Sequence, residues 1–268
     1  LMGTPDTPFV SLTAYRADPV ISLTISALIV IGGIGFLTWD DVRTNRLHFH
    51  RYRLQSKVIL TSTALLILLP TLYFFFFEFK GVTPQERLLL SLFQSITPRT
   101  AGFNTADYTS LSSSGRGLTI LLMFIGGSPG STAGGIKTTT IAVLVANAFA
   151  VFRRQKSPEM FGRRMEEKAV HDAAAIFTLY LVLSLTGAFT ISTVEGLPLS
   201  ECLFETTSAI ATVGLSLGLT PHLGIVSQGI LIFLMFIGRV GGLTMIYAAL
   251  SGSKSSVARL PQERITVG

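Results

Sequence analysis

The sequence predicts an all-α integral membrane protein built from repeated helical units around a common axis. Three observations carry that prediction. The chain is 49% hydrophobic and 13% charged, about half the charge of an ordinary soluble domain, with a mean hydropathy of +0.57. Apolar runs at 20–38, 58–79, 173–194 and 225–250 are each long enough to cross about 30 Å of hydrocarbon as a helix. One order of motifs also recurs at a fixed spacing.

Residues 1–40 read as the end of one repeat, an outer loop followed by the spanning run 20–38. The pattern enters this repeat part-way: LIVIGG (28–33) resembles the start of a repeat's last helix, but no T-x-G strand precedes it. No signal peptide is evident. Met2-Gly3 with Thr7 mimics a myristoylation signal but is not at a chain start. Residues 41–57 form a basic linker. Residues 58–152 form the next repeat, with a spanning run at 58–79 and a short helix at 86–97 announced by Pro84. The small-residue strand TPRTAGFN (97–104) follows. The stretch 117–152 is apolar but interrupted by GGSPGSTAGGIKTTT (126–140). As one straight helix it would be about 54 Å long, and the part before the interruption only about 14 Å. The glycine loop therefore falls near the bilayer midplane. Residues 153–171 form a second basic linker. Residues 172–252 repeat the pattern: a spanning run at 173–194, a short helix at 199–210 after Pro198, the strand ATVGLS (211–216) and the run 225–250. Residues 253–268 form a tail.

A helix too short to span, followed at once by small residues, reads as a re-entrant pore loop. Irregular backbone at that depth is tolerated only where protein or water surrounds it. The spacing supports an internal repeat. Gly102 lies 24 residues before Gly126 of LMFIGG, and Gly214 lies 24 residues before Gly238 of LMFIGR. LFQSITPRTAGF (92–103) parallels LFETTSAIATVGL (203–215) with one gap. Repeats of this kind stack around an axis.

Charge sets the orientation. Arg43, Arg46, Arg51, Arg53 and Lys57 crowd one linker, and Arg153, Arg154, Lys156, Arg163, Arg164 and Lys168 the other. Lys254, Arg259 and Arg264 lie in the tail, whereas 195–228 has no Lys or Arg. The linkers and C-terminus are thus expected on the cytoplasmic side, and the net charge of +6 is topology rather than a nucleic-acid footprint, since no aromatic interleaving or recognition module accompanies it. The single cysteine, Cys202, excludes an internal disulfide. A Walker A loop needs glycine directly before lysine, but Ile136 separates Gly135 from Lys137. His48 and His50 have no cysteine near them to make a metal site, and nothing supports a Ser/His/Asp hydrolase. No enzyme is expected.

The residues SITPRTAGFNTADY (95–108), GGSPGSTAGGIKTTT (126–140), ATVGLS (211–216), FIGRVGGLT (236–244) and LPQERITVG (260–268) resemble the Trk/Ktr/HKT superfamily of potassium uptake proteins, of KtrB or TrkH type. The resemblance covers essentially the whole chain. It implies four units of helix–pore helix–filter–helix around a central pore, of which the end of the second and the third and fourth are present. It implies a potassium filter at Thr100, Ala101, Gly102, Phe103 and at Thr212, Val213, Gly214, Leu215, with K⁺ held by the carbonyls of Thr100, Gly102, Thr212 and Gly214. Glycine at both filter positions favours K⁺, with Na⁺ a second cation to consider. It implies an intramembrane gate at 126–140, comprising Gly126, Gly127, Gly130, Ser131, Thr132, Gly134, Gly135 and Lys137, joined by Arg239. For Arg239 three roles stay open: meeting gate-loop carbonyls, repelling cations, or structural pairing. Lys137 could instead snorkel towards the cytoplasm. The resemblance further implies a homodimer in the cell (inner) membrane with a cytosolic RCK-type ring, nucleotide binding only to that regulatory partner. Two other functions stay in view: a Na⁺- or H⁺-coupled symporter and a non-conducting structural fragment.

Overall fold

The computed structural model describes residues 11–46, 48–155 and 157–241. Residues 1–10 and 242–268 lie outside them, and with them the predicted tail, the motif at 260–268, the end of 236–244 and the later part of the run 225–250. The described chain is almost wholly helical: α1 (Pro19–Ile34), α2 (Phe36–Asn45), α3 (Leu54–Tyr73), α4 (Pro84–Ile96), α5 (Ser113–Phe124), α6 (Thr138–Phe152), α7 (Glu167–Glu195), α8 (Leu199–Ile210) and α9 (Ile225–Val240). A π-helical turn, Phe74–Glu78, prolongs α3 beyond Pro70. A two-stranded hairpin, β1 (Glu159–Met160) and β2 (Arg163–Arg164), sits in the second linker.

Two helices, Leu54–Glu78 and Glu167–Glu195, are long and apolar enough to cross a membrane. Burial is inverted relative to a soluble protein. Leu65, Leu68, Leu69, Leu72, Ile225, Ile232, Phe233 and Phe236 are exposed, whereas Ser91, Gln94, Ser95, Thr97, Thr119, Ser184, Thr206 and Thr207 are buried. Hydroxyls fasten each short helix to the long one before it, Thr71 to Ser95 at 2.8 Å and Ser184 to Thr207 at 3.2 Å. Such pairs hold helices together where no hydrophobic drive exists between them.

The two halves close alike. Glu78, ending the α3 segment, accepts from the amide (3.0 Å) and hydroxyl of Ser112 at the start of α5. Glu195, ending α7, accepts from the Gly224 amide (2.9 Å) and the Ser227 hydroxyl (2.5 Å) at the start of α9. A carboxylate at a helix N-terminus satisfies orphan amides and complements the dipole. Helix α8 then packs against α7, α9 and α5, and α4 against α3, α1 and α5.

Two expectations need correction. The run 20–38 is not one spanning helix: it bends by 94° between α1 and α2. Gly35 turns the corner at φ +89°, and the freed Phe36 amide donates to the Gly130 carbonyl at 3.1 Å. Gly241 has the same φ of +89° at the end of α9. The interrupting loop spans 125–137, because Thr138–Thr140 already form the first turn of α6. Part of the first basic linker is tied down. Lys57 is buried with Nζ on the His50 carbonyl (2.9 Å), and Arg53 pairs with Asp40 and Asp41, each at 3.5 Å.

Two glycines of α9 make a matched pair. A Cβ on Gly238 would collide with the Ile210 carbonyl, whereas one on Gly229 meets nothing within 4 Å. Gly238→Ala is expected to lower stability by at least about 2 kcal/mol. Gly229→Ala should leave it unchanged or raise it by up to about 1 kcal/mol. Thermal unfolding in detergent reads both; equal midpoints would refute the packing.

Candidate functional site

Each short helix delivers its chain into a strand whose backbone alternates in hand. Thr100 and Thr212 have φ of +65° and +54°, Gly102 and Gly214 of +75° and +87°, while Ala101, Phe103, Val213 and Leu215 stay out of the left-handed region. A β-branched residue there is strained, and the same strain occurs twice at matching places. Alternating hand turns consecutive carbonyls towards one side, which a β-strand does not do.

Four of the eight strand amides bond back to the helix ends. Ala101 and Gly102 donate to the Thr97 carbonyl (3.1 and 3.4 Å), Thr212 to Ala209 (3.0 Å) and Val213 to Ser208 (2.9 Å). The Thr97 hydroxyl donates to the Phe103 carbonyl at 2.7 Å. Among the described residues no donor reaches the carbonyls of Thr100, Gly102, Thr212 or Gly214. The two strands touch backbone to backbone: a Cβ on Gly102 would strike the Val213 carbonyl and lie 3.3 Å from the Gly214 Cα. All eight predicted filter residues therefore fall in two facing strands.

The glycine loop lies against one of these strands. A Cβ on Gly134 would strike the Thr212 side chain, and one on Gly135 would lie 3.2 Å from the Ala211 carbonyl. The loop closes its own base: Gly126 donates to the Ile136 carbonyl (2.8 Å) and Thr138 to that of Gly127 (3.0 Å). The Ser131 hydroxyl donates to the Ser128 carbonyl (2.6 Å). Two cations hold adjacent carbonyls, Arg239 Nη1 on Thr132 at 3.2 Å and Lys137 Nζ on Ala133 at 2.6 Å. Of the roles open to Arg239, contact with the loop is the one observed; Lys137 folds back onto the loop rather than away from it.

A clasp that the sequence reading missed comes from the α1–α2 corner. The Ser128 amide donates to the Gly33 carbonyl (2.9 Å), opposite the Phe36–Gly130 bond. The small residues of GGIG (32–35) permit such close approach, but the sequence does not name the partner. Three more buried residues were missed. Gln94 and Glu205 stand behind the strands, at positions that the LFQ/LFE alignment already pairs. Arg99 is buried beside strand 100–103 with Nη2 3.3 Å from the Thr63 hydroxyl. Among the described residues no group of three or more His, Cys, Asp or Glu gathers as a metal site, and Cys202 is buried and unpaired.

Residues 6–257 match the family described as "TrkH: Cation transport protein". The chain belongs to the TrkH family. It is 39% identical over 272 residues to the potassium/sodium uptake protein NtpJ of Enterococcus hirae, covering 96% of this chain and 59% of that protein. It is 36% identical over 264 residues to the Ktr system potassium uptake protein B of Bacillus subtilis, again covering 96% and 59%. The TrkH-family chain thus spans about three fifths of the length of these relatives. Its fold is similar to the crystal structure of the potassium transporter TrkH from Vibrio parahaemolyticus, with a TM-score of 0.73 at 18% identity, over 92% of this chain and 55% of that one. These relatives are named as ion transporters, not enzymes.

The clasp has a direct test. A Cβ on Gly35 would collide with the Pro129 carbonyl at a φ few side chains adopt. Gly35→Ala is expected to release the loop, with amide hydrogen exchange at Phe36 and Ser128 at least about tenfold faster, equivalent to about 1.4 kcal/mol. Unchanged protection at both amides would show that the clasp does not hold the loop.

Proposed function

We propose that the chain supplies two of the four sides of a potassium-uptake pore, its units 58–152 and 172–252 each contributing helix, pore helix, filter strand and helix. One observation carries this reading: two matching strands of alternating hand, meeting backbone to backbone, with no donor among the described residues on the carbonyls of Thr100, Gly102, Thr212 and Gly214. A weakly hydrated cation such as K⁺ can exchange its water shell for such a ring. The C-terminal poles of α4 and α8 point their dipoles at the same place and favour positive charge. The names of the relatives supply potassium as the cargo, with sodium a second cation in the case of NtpJ.

The loop 125–137 acts as the gate. Its contacts with Thr212 and Ala211 support a position just below the filter, and its hold on Arg239 and on the α1–α2 corner gives it something to release. The exposed arginines Arg43, Arg46 and Arg51 of the first linker, and Arg153, Arg154, Arg163 and Arg164 of the second, form the cytoplasmic face. That face would meet an RCK-type nucleotide-binding ring in a homodimeric assembly.

Rubidium uptake by the full-length protein tests filter and gate separately. Gly214→Ser is expected to cut the K⁺/Na⁺ preference about tenfold or more, because a Cβ at that φ displaces the filter carbonyls. Unaltered selectivity would remove Gly214 from the filter. Deleting 130–135 is expected to raise flux severalfold; equal or lower flux would reject the loop as a gate. A saturating flux that consumes Na⁺ or H⁺ in fixed proportion would replace the pore with coupled symport.

A further inference from the structure

Two buried polar side chains brace the filter strands from behind at equivalent positions. Aligning LFQ (92–94) with LFE (203–205) sets Gln94 opposite Glu205. Gln94 Nε2 donates to the Thr105 hydroxyl at 3.2 Å, and its Oε1 accepts from Tyr108. Glu205 Oε1 accepts from the Ser216 hydroxyl and the Leu217 amide, both at 2.8 Å, and Oε2 from the Thr220 hydroxyl at 2.7 Å. Each brace reaches the chain just past its strand, Gln94 at Thr105 and Glu205 at Ser216. The helix positions are equivalent but the partners differ: one brace is a neutral amide that both donates and accepts, the other a carboxylate that only accepts.

The chemistry around Glu205 suits the ionised form. A backbone amide can only donate, and two hydroxyls complete the shell of a carboxylate that accepts everywhere. Glu205 is only 4% exposed. Among the described residues, the ion pairs are Arg16–Glu86, Arg53–Asp40 and Arg53–Asp41, none involving Glu205. A buried charge with hydrogen bonds but no counter-charge is retained at a cost. The position next to strand 212–215 offers one counter-ion, the cation passing the filter.

We propose that Glu205 is a fixed negative charge that sets the cation affinity of the pore, supplied by one unit only, its counterpart Gln94 giving the same bracing without charge. This rests on the filter reading of 100–103 and 212–215. Glu205 is a positioning residue as well, since it holds 216–220, so the test must separate charge from shape. An amide at 205 can keep its oxygen on the Leu217 amide and turn its NH2 to the Thr220 hydroxyl, which can accept.

The experiment is concentration-dependent K⁺ uptake by the full-length protein in potassium-uptake-deficient cells, with thermal unfolding as a check on folding. Glu205→Gln is expected to raise KM about tenfold, the effect of one unit charge nearby at an effective dielectric of about 20, with maximal rate within about twofold. Adding Gln94→Glu to Glu205→Gln should return KM at least halfway on a logarithmic scale. A wild-type KM in Glu205→Gln overturns the proposal. So does a raised KM that Gln94→Glu fails to lower in folded protein, which would leave Glu205 a brace alone. Should Glu205→Gln not accumulate, Gln94→Glu by itself decides: KM lowered about threefold or more supports the charge, and unchanged KM overturns it. Wild-type protein that moves no K⁺ would bring down the filter reading as well, an outcome distinct from each of these.

Discussion

The structure depends on one constraint: irregular backbone inside an apolar shell must find its hydrogen bonds within the protein. Four irregular stretches bear on the site: the α1–α2 corner, strands 98–103 and 211–216, and loop 125–137. Their bonds are found within the protein. Amides of Ala101, Gly102, Thr212 and Val213 return to the ends of α4 and α8; the loop closes on itself through Gly126 and Thr138; corner and loop exchange bonds through Gly33, Phe36, Ser128 and Gly130. The carbonyls of Thr100, Gly102, Thr212 and Gly214 have no donor among the described residues, and two of them come from strained residues, Thr100 and Thr212. Strain and unsatisfied acceptors coincide where a cation would repay both.

The same constraint explains the buried polar population. In water Ser184, Thr206, Thr71 and Ser95 would be neutral surface residues. Against a lipid-facing exterior they are the fastening between the short helices and the spanning helices. Tyr108 does similar service between the two halves. It donates to Gln94 in its own unit and packs on Phe204 of the next, ring centres 5.6 Å apart, so the brace behind one strand leans on the helix carrying the other.

Much of the architecture was legible in sequence because its signals are local. Pro84 and Pro198 marked the starts of the short helices, and apolar run lengths marked α3 and α7. The fixed 24-residue offset paired Gly102 with Gly214. What stayed hidden is non-local. An apolar count cannot tell that Gly35 bends a run by 94°, since the bend is stabilised by a carbonyl nearly a hundred residues away. Arg239 was visible as an expensive intramembrane charge, but its partner, the Thr132 carbonyl, is set by packing of α9 on the loop. Glu205 was visible only as a letter in an alignment; its burial and its three donors belong to the fold.

The loop's attachments bear on how it could switch. Among the described residues, three bonds join it to helices that do not flank it: Ser128 to Gly33, Phe36 to Gly130 and Arg239 to Thr132. Two neutral bonds of about 1 kcal/mol and one charge-assisted bond of about 2 kcal/mol sum to roughly 4 kcal/mol. For the gate proposed above, that corresponds to a closed state favoured on the order of a thousandfold. The proposed regulatory partner would have to prefer the open state by about the same amount to move the balance, which is within the reach of one interface. Two of the three bonds run to the α1–α2 corner, and α2 continues directly into the basic linker with Arg43 and Arg46 exposed. A pull on that linker therefore acts on the larger part of the clasp by count, while Arg239, reaching the loop from α9, holds the charge-assisted bond that such a pull does not address.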